Sequence, residues 1–279
     1  MSDPRALAEQ LRDAYAQRVL VPSPTSLDPA FDVAAGYAVE RELVRLRAAS
    51  GHHPVGVKVG FANKAMWRVL KLDTLVWAHM YDDTVRLTGD GSPSLTYSVA
   101  PHTAPKIEPE IVFKLKQPIP PGGDAAAALA CVEWLALGFE IIDCVYPEWK
   151  FQAPDFIAGY GLHAGLVVGQ PRMATQAGGE GLDIAGLVDA LPRFTVKLAR
   201  NGEVVAEGSG KNSLRSPAAC LAELATAVAA RGDSDSLGAG ALVSSGTLTD
   251  SQPMAAGETW TATVDGIDLA PISLTVVAN

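Results

Sequence analysis

The segment Pro105-Lys106-Ile107-Glu108-Pro109-Glu110-Ile111-Val112-Phe113 constrains this chain most, because it sets two glutamates one residue apart among strand-forming side chains. On a β-strand, residues i and i+2 project to the same face. Glu108 and Glu110 are then neighbours, and Ile107, Pro109, Ile111, Phe113 and Leu115 back them on the other face. Adjacent carboxylates repel unless something positive lies between them. A divalent metal ion meets that need, and Gly138-Phe139-Glu140-Ile141-Ile142-Asp143 supplies a third carboxylate from a neighbouring strand. Glu140 follows an apolar stretch and precedes two isoleucines, so it should be buried, where an unpartnered carboxylate is costly. The plain alternative is a half-exposed strand with alternating polar residues. Pro109 inside that strand points to an edge or a bulge, where side chains are re-aimed.

Composition narrows the class. A hydrophobic fraction of 48% and a charged fraction of 19% over 279 residues describe a globular chain. A net charge of −9 argues against nucleic acid or an anionic membrane as the main partner. Met1-Ser2-Asp3-Pro4-Arg5 leads into no apolar signal core, and no apolar run has the length of a membrane span. Cys131, Cys144 and Cys220 are widely spaced and form no CxxC, which fits neither a disulfide scaffold nor a zinc site. A cytoplasmic protein is expected.

Along the chain, Asp3-Pro4 reads as the start of a helix to about Leu20, broken by Val21-Pro22-Ser23-Pro24. A second helix is expected over Phe31–Ala49, a strand over 55–61 and a helical turn over Lys64–Leu70. From about residue 80 the pattern turns mainly β. Asp124 caps an alanine-rich helix expected to reach Leu137, with Gly138 ending it before the Glu140 strand. Asn201-Gly202 marks a hairpin, Ser216-Pro217 starts a helix that Gly232 stops, and strands follow over 241–245, 259–264 and 272–277. Helices and strands do not alternate regularly, which predicts an α+β fold. Thr88-Gly89-Asp90-Gly91-Ser92-Pro93 suggests a division into a smaller helical part, 1–88, and a β-rich part, 89–279, that carries the metal site.

Three carboxylates without His or Cys select a hard cation, Mg²⁺ or Mn²⁺, with open positions suited to the carboxylate and keto oxygens of a 2-oxo acid. Lys58, between Val57 and Val59, is either a strand lysine reaching water or a desolvated cation that stabilises an enolate or relays protons. His163 is either a hydrogen-bonded core histidine or a catalytic one. The loop Ser244-Ser245-Gly246-Thr247-Leu248-Thr249 is either a turn or a cradle for a carboxylate. Asp82-Asp83 reads as a solvated turn, and Glu148 and Lys150 as surface residues beside an anchoring Trp149.

Gly56-Val57-Lys58-Val59-Gly60-Phe61, the Glu108/Glu110 strand and the Glu140 segment together resemble the fumarylacetoacetate hydrolase superfamily. Within it they look like the branch of 2-oxopent-4-enoate hydratases and 4-oxalocrotonate decarboxylases of aromatic degradation. The resemblance implies a mixed β-roll core, Mg²⁺ or Mn²⁺ held by Glu108, Glu110 and Glu140, and Lys58 beside a bound 2-oxo acid. It also implies a homo-oligomer with a small-molecule substrate. The activity it implies first is hydration of a 2-hydroxydienoate. The alternatives are decarboxylation of a 2-oxo-3-enedioate, carbon–carbon bond hydrolysis, or a non-catalytic acid-binding subunit. Two segments depart from the family pattern. Val76-Trp77-Ala78 stands where many hydratases carry an aspartate, and Ala158-Gly159-Tyr160-Gly161-Leu162-His163 replaces a serine-bearing segment. His163 is the expected replacement acid/base, and Tyr160 and Thr247 are the expected substrate contacts.

Overall fold

The computed structural model describes residues 3–88, 94–175 and 180–279. The expected boundary falls mostly on 89–93, outside the described residues. The first half runs α1 (Pro4–Gln17), α2 (Pro24–Leu27), α3 (Val33–Ala49), β1 (Pro54–Gly60), α4 (Lys64–Leu70), β2 (Val76–Tyr81), β3 (Val85–Leu87), β4 (Ser94–Ser98) and β5 (Lys106–Leu115). Next come α5 (Ala125–Ala130), β6 (Val132–Ile142), α6 (Ala153–Ala158), β7 (His163–Val168), β8 (Arg172–Thr175), β9 (Leu182–Asp183) and α7 (Ile184–Ala190). The chain closes with β10 (Thr195–Arg200), β11 (Glu203–Ser209), α8 (Pro217–Ala230), β12 (Leu242–Ser244), β13 (Gln252–Pro253), β14 (Thr259–Asp265) and β15 (Ile272–Val277). Helix and strand each make up 32% of the described residues, the mixed α+β fold expected.

Two sheets result. The larger is ordered β2-β1-β12-β5-β6-β7-β3, with β13 also pairing β5 and β8 pairing β6. The smaller is ordered β11-β10-β14-β15-β4. Strands from before and after residue 88 share the larger sheet, and one apolar core draws on both parts. The odd-numbered face of β5, with Ile107, Ile111, Phe113 and Leu115, sinks into that core. The even-numbered face carries the glutamates and, further along, Val112, which packs with Ala136, Leu166 and Val168 in a smaller cluster.

Local signals explain most boundaries. Asp3, Asp32, Asp124 and Ser216 each accept a backbone N–H at the start of a helix. Asn201 and Gly202 both hold positive φ, 52° and 87°, as a tight two-residue hairpin requires. Asp143, at the end of β6, accepts N–H bonds from Thr103, Ala104 and Cys144 at 2.7–3.0 Å and so pins the approach to β5.

One expected helix is too long. The helix after Asp124 ends at Ala130, and Val132–Leu137 belongs to β6, paired with β5 from Val132↔Leu115 to Ile142↔Lys106. Cross-strand pairing of Val132, Trp134 and Leu135 overrides the helical preference that the alanines lend their neighbours. Gly138 therefore ends no helix. It sits mid-strand opposite Glu110, where a Cβ would lie 2.6 Å from Val112 Cγ2 and 3.1 Å from the Val167 carbonyl. The first helix likewise stops at Gln17, with Arg18 in the left-handed conformation.

Candidate active site

β5 and β6 place Glu108 directly across from Glu140, with Glu110 one pleat along the same face. One oxygen from each of the three carboxylates lies within 4.8 Å of the others. Glu110 and Glu140 are buried and Glu108 half-buried. Lys58 reaches them from β1, whose parallel partner β12 pairs in turn with β5. Its Nζ lies 3.0 Å from Glu140 Oε2 and donates to the Gly161 carbonyl at 2.9 Å. The Phe156 ring is 4.8 Å away. Lys58 is 3% exposed, which settles the choice between a snorkelling strand lysine and a desolvated one.

Pro109 falls in a gap between two short partners, since β12 pairs Val112–Lys114 and β13 pairs only Lys106 and Ile107. The loop after β12 fills that gap. Leu248 N–H donates to the Pro109 carbonyl, and the Ser245 N–H and hydroxyl donate to the Ile111 carbonyl. The same loop cradles a carboxylate, and it belongs to Glu110. Ser244 Oγ and the Gly246 N–H donate to Glu110 Oε2 at 2.6 and 2.8 Å.

The electrostatics follow from the burial. Desolvation opposes charge on Lys58, but Glu140, Glu108 and Glu110 outweigh it and raise its pKa above the ordinary lysine value. Desolvation pushes the Glu108 carboxyl up to about 7 against the pull of Lys58, and the charge of Glu140 adds to the rise. Glu110 is driven well above the usual carboxylate range by burial and then by Glu140 and Glu108, with Lys58 and the Ser244 hydrogen bond opposing. Fully ionised, three carboxylates and one ammonium leave two negative charges uncompensated, which one dication neutralises. Glu140 Oε2 accepts no hydrogen bond of regular geometry despite the nearby ammonium. An all-oxygen donor set with a spare buried acceptor fits a hard divalent cation.

A cavity of about 410 Å³ opens over Glu108, Glu110 and Lys58. Phe61, Trp149 and Phe156 form its apolar walls, while Asn63, Asn212 and Thr247 are among its polar groups. Lys106 also faces it, with Nζ 3.9 Å from the centre of the Trp149 ring. Trp149 is thus part of the cavity, while Glu148 and Lys150 pair with each other in solvent, as expected. Thr247 lines the cavity, its hydroxyl donating to the Thr249 carbonyl at 2.7 Å.

The structure does not bring the other two expected residues into this cavity. His163 sits behind Glu140, with Nδ1 3.0 Å from Glu140 Oε1 and Nε2 2.9 Å from Thr84 Oγ1. Tyr160 lines a separate cavity with it. The expected acid/base His163 and the expected substrate contact Tyr160 thus both face this second cavity and not the one over Glu108 and Glu110. The reason is register: the bulge between Ile141 and Ile142 pairs His163 with Ile142, and the turn Tyr160–Leu162 directs Tyr160 away from Lys58. Ala78 lies opposite Lys58 on β2, so no acid faces the lysine from that strand. Asn63 and Asn212 carry no signal beyond residue type, and Lys106 only its place in the segment that holds Glu108 and Glu110; the cavity identifies all three as lining. Asp82 and Asp83 form an exposed turn beside His52 and Arg47.

The fold and site together define a class. The chain belongs to the fumarylacetoacetate hydrolase C-terminal family, whose model matches residues 72–276. It is 28% identical over 270 residues to a 2-hydroxyhexa-2,4-dienoate hydratase of Comamonas testosteroni, covering 96% of this chain and 95% of that one. It is 29% identical over 263 residues to a 4-oxalocrotonate decarboxylase of Pseudomonas sp. strain CF600, covering 94% and 93%. Among solved structures, 4-oxalocrotonate decarboxylase from Pseudomonas putida G7, complexed with magnesium and adipate, superposes with a TM-score of 0.84 at 25% identity, covering 98% of this chain and 97% of that one.

Proposed function

We propose that this protein is a divalent-metal-dependent lyase that hydrates a 2-hydroxydienoate or its 2-oxo-enoate tautomer, such as 2-hydroxypenta-2,4-dienoate, in aromatic-compound degradation. The observation that carries the reading is one buried lysine and three clustered carboxylates at the base of an aromatic-walled cavity. Glu108, Glu110 and Glu140 would hold Mg²⁺ or Mn²⁺. When bound, such an ion supplies Lewis-acid stabilisation for negative charge on the oxygens of a 2-oxo acid. Lys58, fixed between the Gly161 carbonyl and Glu140, keeps a positive charge and spare N–H donors where enolate charge develops. Phe61, Phe156 and Trp149 exclude water from the flanks of the conjugated chain, and Thr247 is assigned to substrate positioning.

Decarboxylation of a 2-oxo-3-enedioate is the second reading, and Lys106 favours it by placing another cation on the cavity wall within reach of a distal carboxylate. The two are separated by supplying 2-hydroxypenta-2,4-dienoate and 2-oxohex-3-enedioate with Mg²⁺ or Mn²⁺. Metal-dependent loss of dienol absorbance without CO₂ supports hydration, and CO₂ release supports decarboxylation. Absence of turnover with both overturns the assignment. A cytoplasmic homo-oligomer is part of the proposal; light scattering of the purified protein and cell fractionation test it.

A further inference from the structure

A second cavity, of about 300 Å³, approaches Glu140 from the side of its other oxygen. His163 is its link to the glutamate. Three tyrosines wall it, with the Tyr160 ring edge-on to Tyr15 at 5.7 Å and to Tyr81 at 6.2 Å. Arg12 and Arg47 line it too, beside the carboxylates of Asp83, which Arg47 holds, and of Asp143, which the N–H groups of Thr103, Ala104 and Cys144 hold. Arg12 spends Nε and Nη2 on Asp13, and Arg47 spends Nη2 on Asp83 while lying over the Tyr81 ring. Among the described residues, Nη1 of both guanidinium groups and the hydroxyls of Tyr81 and Tyr160 have no protein partner. The space thus offers flat aromatic walls and cationic or hydroxyl donors without protein acceptors. Its volume matches the lower end of small-molecule sites, enough for one substituted ring.

The wall of this cavity is continuous with the candidate active site. Tyr160, Gly161 and Leu162 all hold positive φ, 59°, 62° and 58°. For Tyr160 and Leu162 that conformation is sterically costly, so the turn is held by its surroundings. The Gly161 carbonyl accepts the Lys58 ammonium, and the Leu162 carbonyl accepts the Asp143 N–H. Tyr160 is therefore one peptide away from the anchor of Lys58, while His163 touches Glu140 directly. Two side chains of the second cavity thus adjoin Glu140 and the residue that anchors Lys58.

We infer that the second cavity is a binding site for a small planar aromatic carboxylate of the benzoate class, and that its occupancy alters metal affinity at the glutamates through Tyr160–His163. The ring lies among Tyr15, Tyr81 and Tyr160, and the carboxylate faces Arg12 and Arg47, the residues best suited to it. The binding part stands alone; the coupling part rests on the reading of the three glutamates as metal ligands.

Calorimetric titration of benzoate into metal-free protein tests the first part. Saturable one-to-one binding is expected, weakened at least about tenfold by Arg47→Ala and by Tyr160→Ala. Arg47 is partly exposed, with its side chain at 22%, so its variant keeps the test valid if Tyr160→Ala fails to fold. Glu110→Gln should leave benzoate binding intact. Absence of saturation up to about 10 mM benzoate, or loss of binding in Glu110→Gln, overturns the site. Mn²⁺ titration with and without saturating benzoate tests the second part. A shift of about fivefold or more is expected in the wild type and none in Arg47→Ala. Unchanged Mn²⁺ affinity in the wild type overturns the coupling. Undiminished Mn²⁺ binding in Glu110→Gln overturns the metal-ligand reading instead and leaves the benzoate result standing.

Discussion

Replacing Lys58 by methionine removes the only lysine or arginine within 4.0 Å of the three carboxylates among the described residues. At 3.0 Å from Glu140 and an effective dielectric of about 20, the direct attraction lost is roughly 5.5 kcal/mol. Truncating one partner of a buried pair costs about 3–5 kcal/mol once relaxation is included. With an unfolding entropy of about 2.1 cal/mol/K per residue over 279 residues, that lowers Tm by about 5–9 °C. The loss depends on pH. Without Lys58 the glutamate pKa values rise further, so the variant sheds its excess charge by taking up protons at low pH and cannot at high pH. Thermal unfolding in chelator should therefore show a wider gap between variant and wild type at about pH 8 than at about pH 5.5. Added Mg²⁺ should narrow the gap, because the dication replaces the missing charge, while turnover stays low. Equal Tm values for variant and wild type at both pH values without metal would refute Lys58 as the counter-charge.

Three further outcomes follow from the same geometry. Glu108, with its pKa at about 7, and Glu110, well above the normal range, keep protons in the folded state that the unfolded chain releases near pH 4.3. Metal-free protein should thus lose Tm as pH rises from about 5 to 7, and saturating Mg²⁺ should reverse the loss; a Tm that climbs across that window contradicts the shifts. His163→Ala should weaken metal binding by about 10–100-fold with little change in substrate KM at saturating metal, the pattern of a residue that orients Glu140. Unaltered metal affinity in that variant removes His163 from the positioning role. Gly161→Ala puts a Cβ 2.7 Å from Ala78 Cβ and 2.9 Å from Lys58 Cδ at a φ of +62°. It should cost about 1–2 kcal/mol in backbone strain, with more from overpacking, and lower kcat; wild-type Tm and kcat together would refute the tight contact.

The clustering of Glu108, Glu110 and Glu140 is legible in the chain because a strand's two-residue period is local, and a third acid inside an apolar strand demands a positive partner. The helix after Asp124 was legible only at its start. The residues after Ala130 suit helix or strand alike, and pairing with β5 decides between them. Gly138 shows the same limit: it resembles a helix stop, yet its purpose is space beside Val112. Tyr160 and His163 carry the right chemistry in the sequence and end on the far side of Glu140. A bulge and a left-handed turn set their direction, and neither has a local signature strong enough to read. Period and residue type thus determine which carboxylates share a face. Which cavity each remaining side chain enters depends on register between strands distant in sequence, and that is settled only when the whole sheet closes.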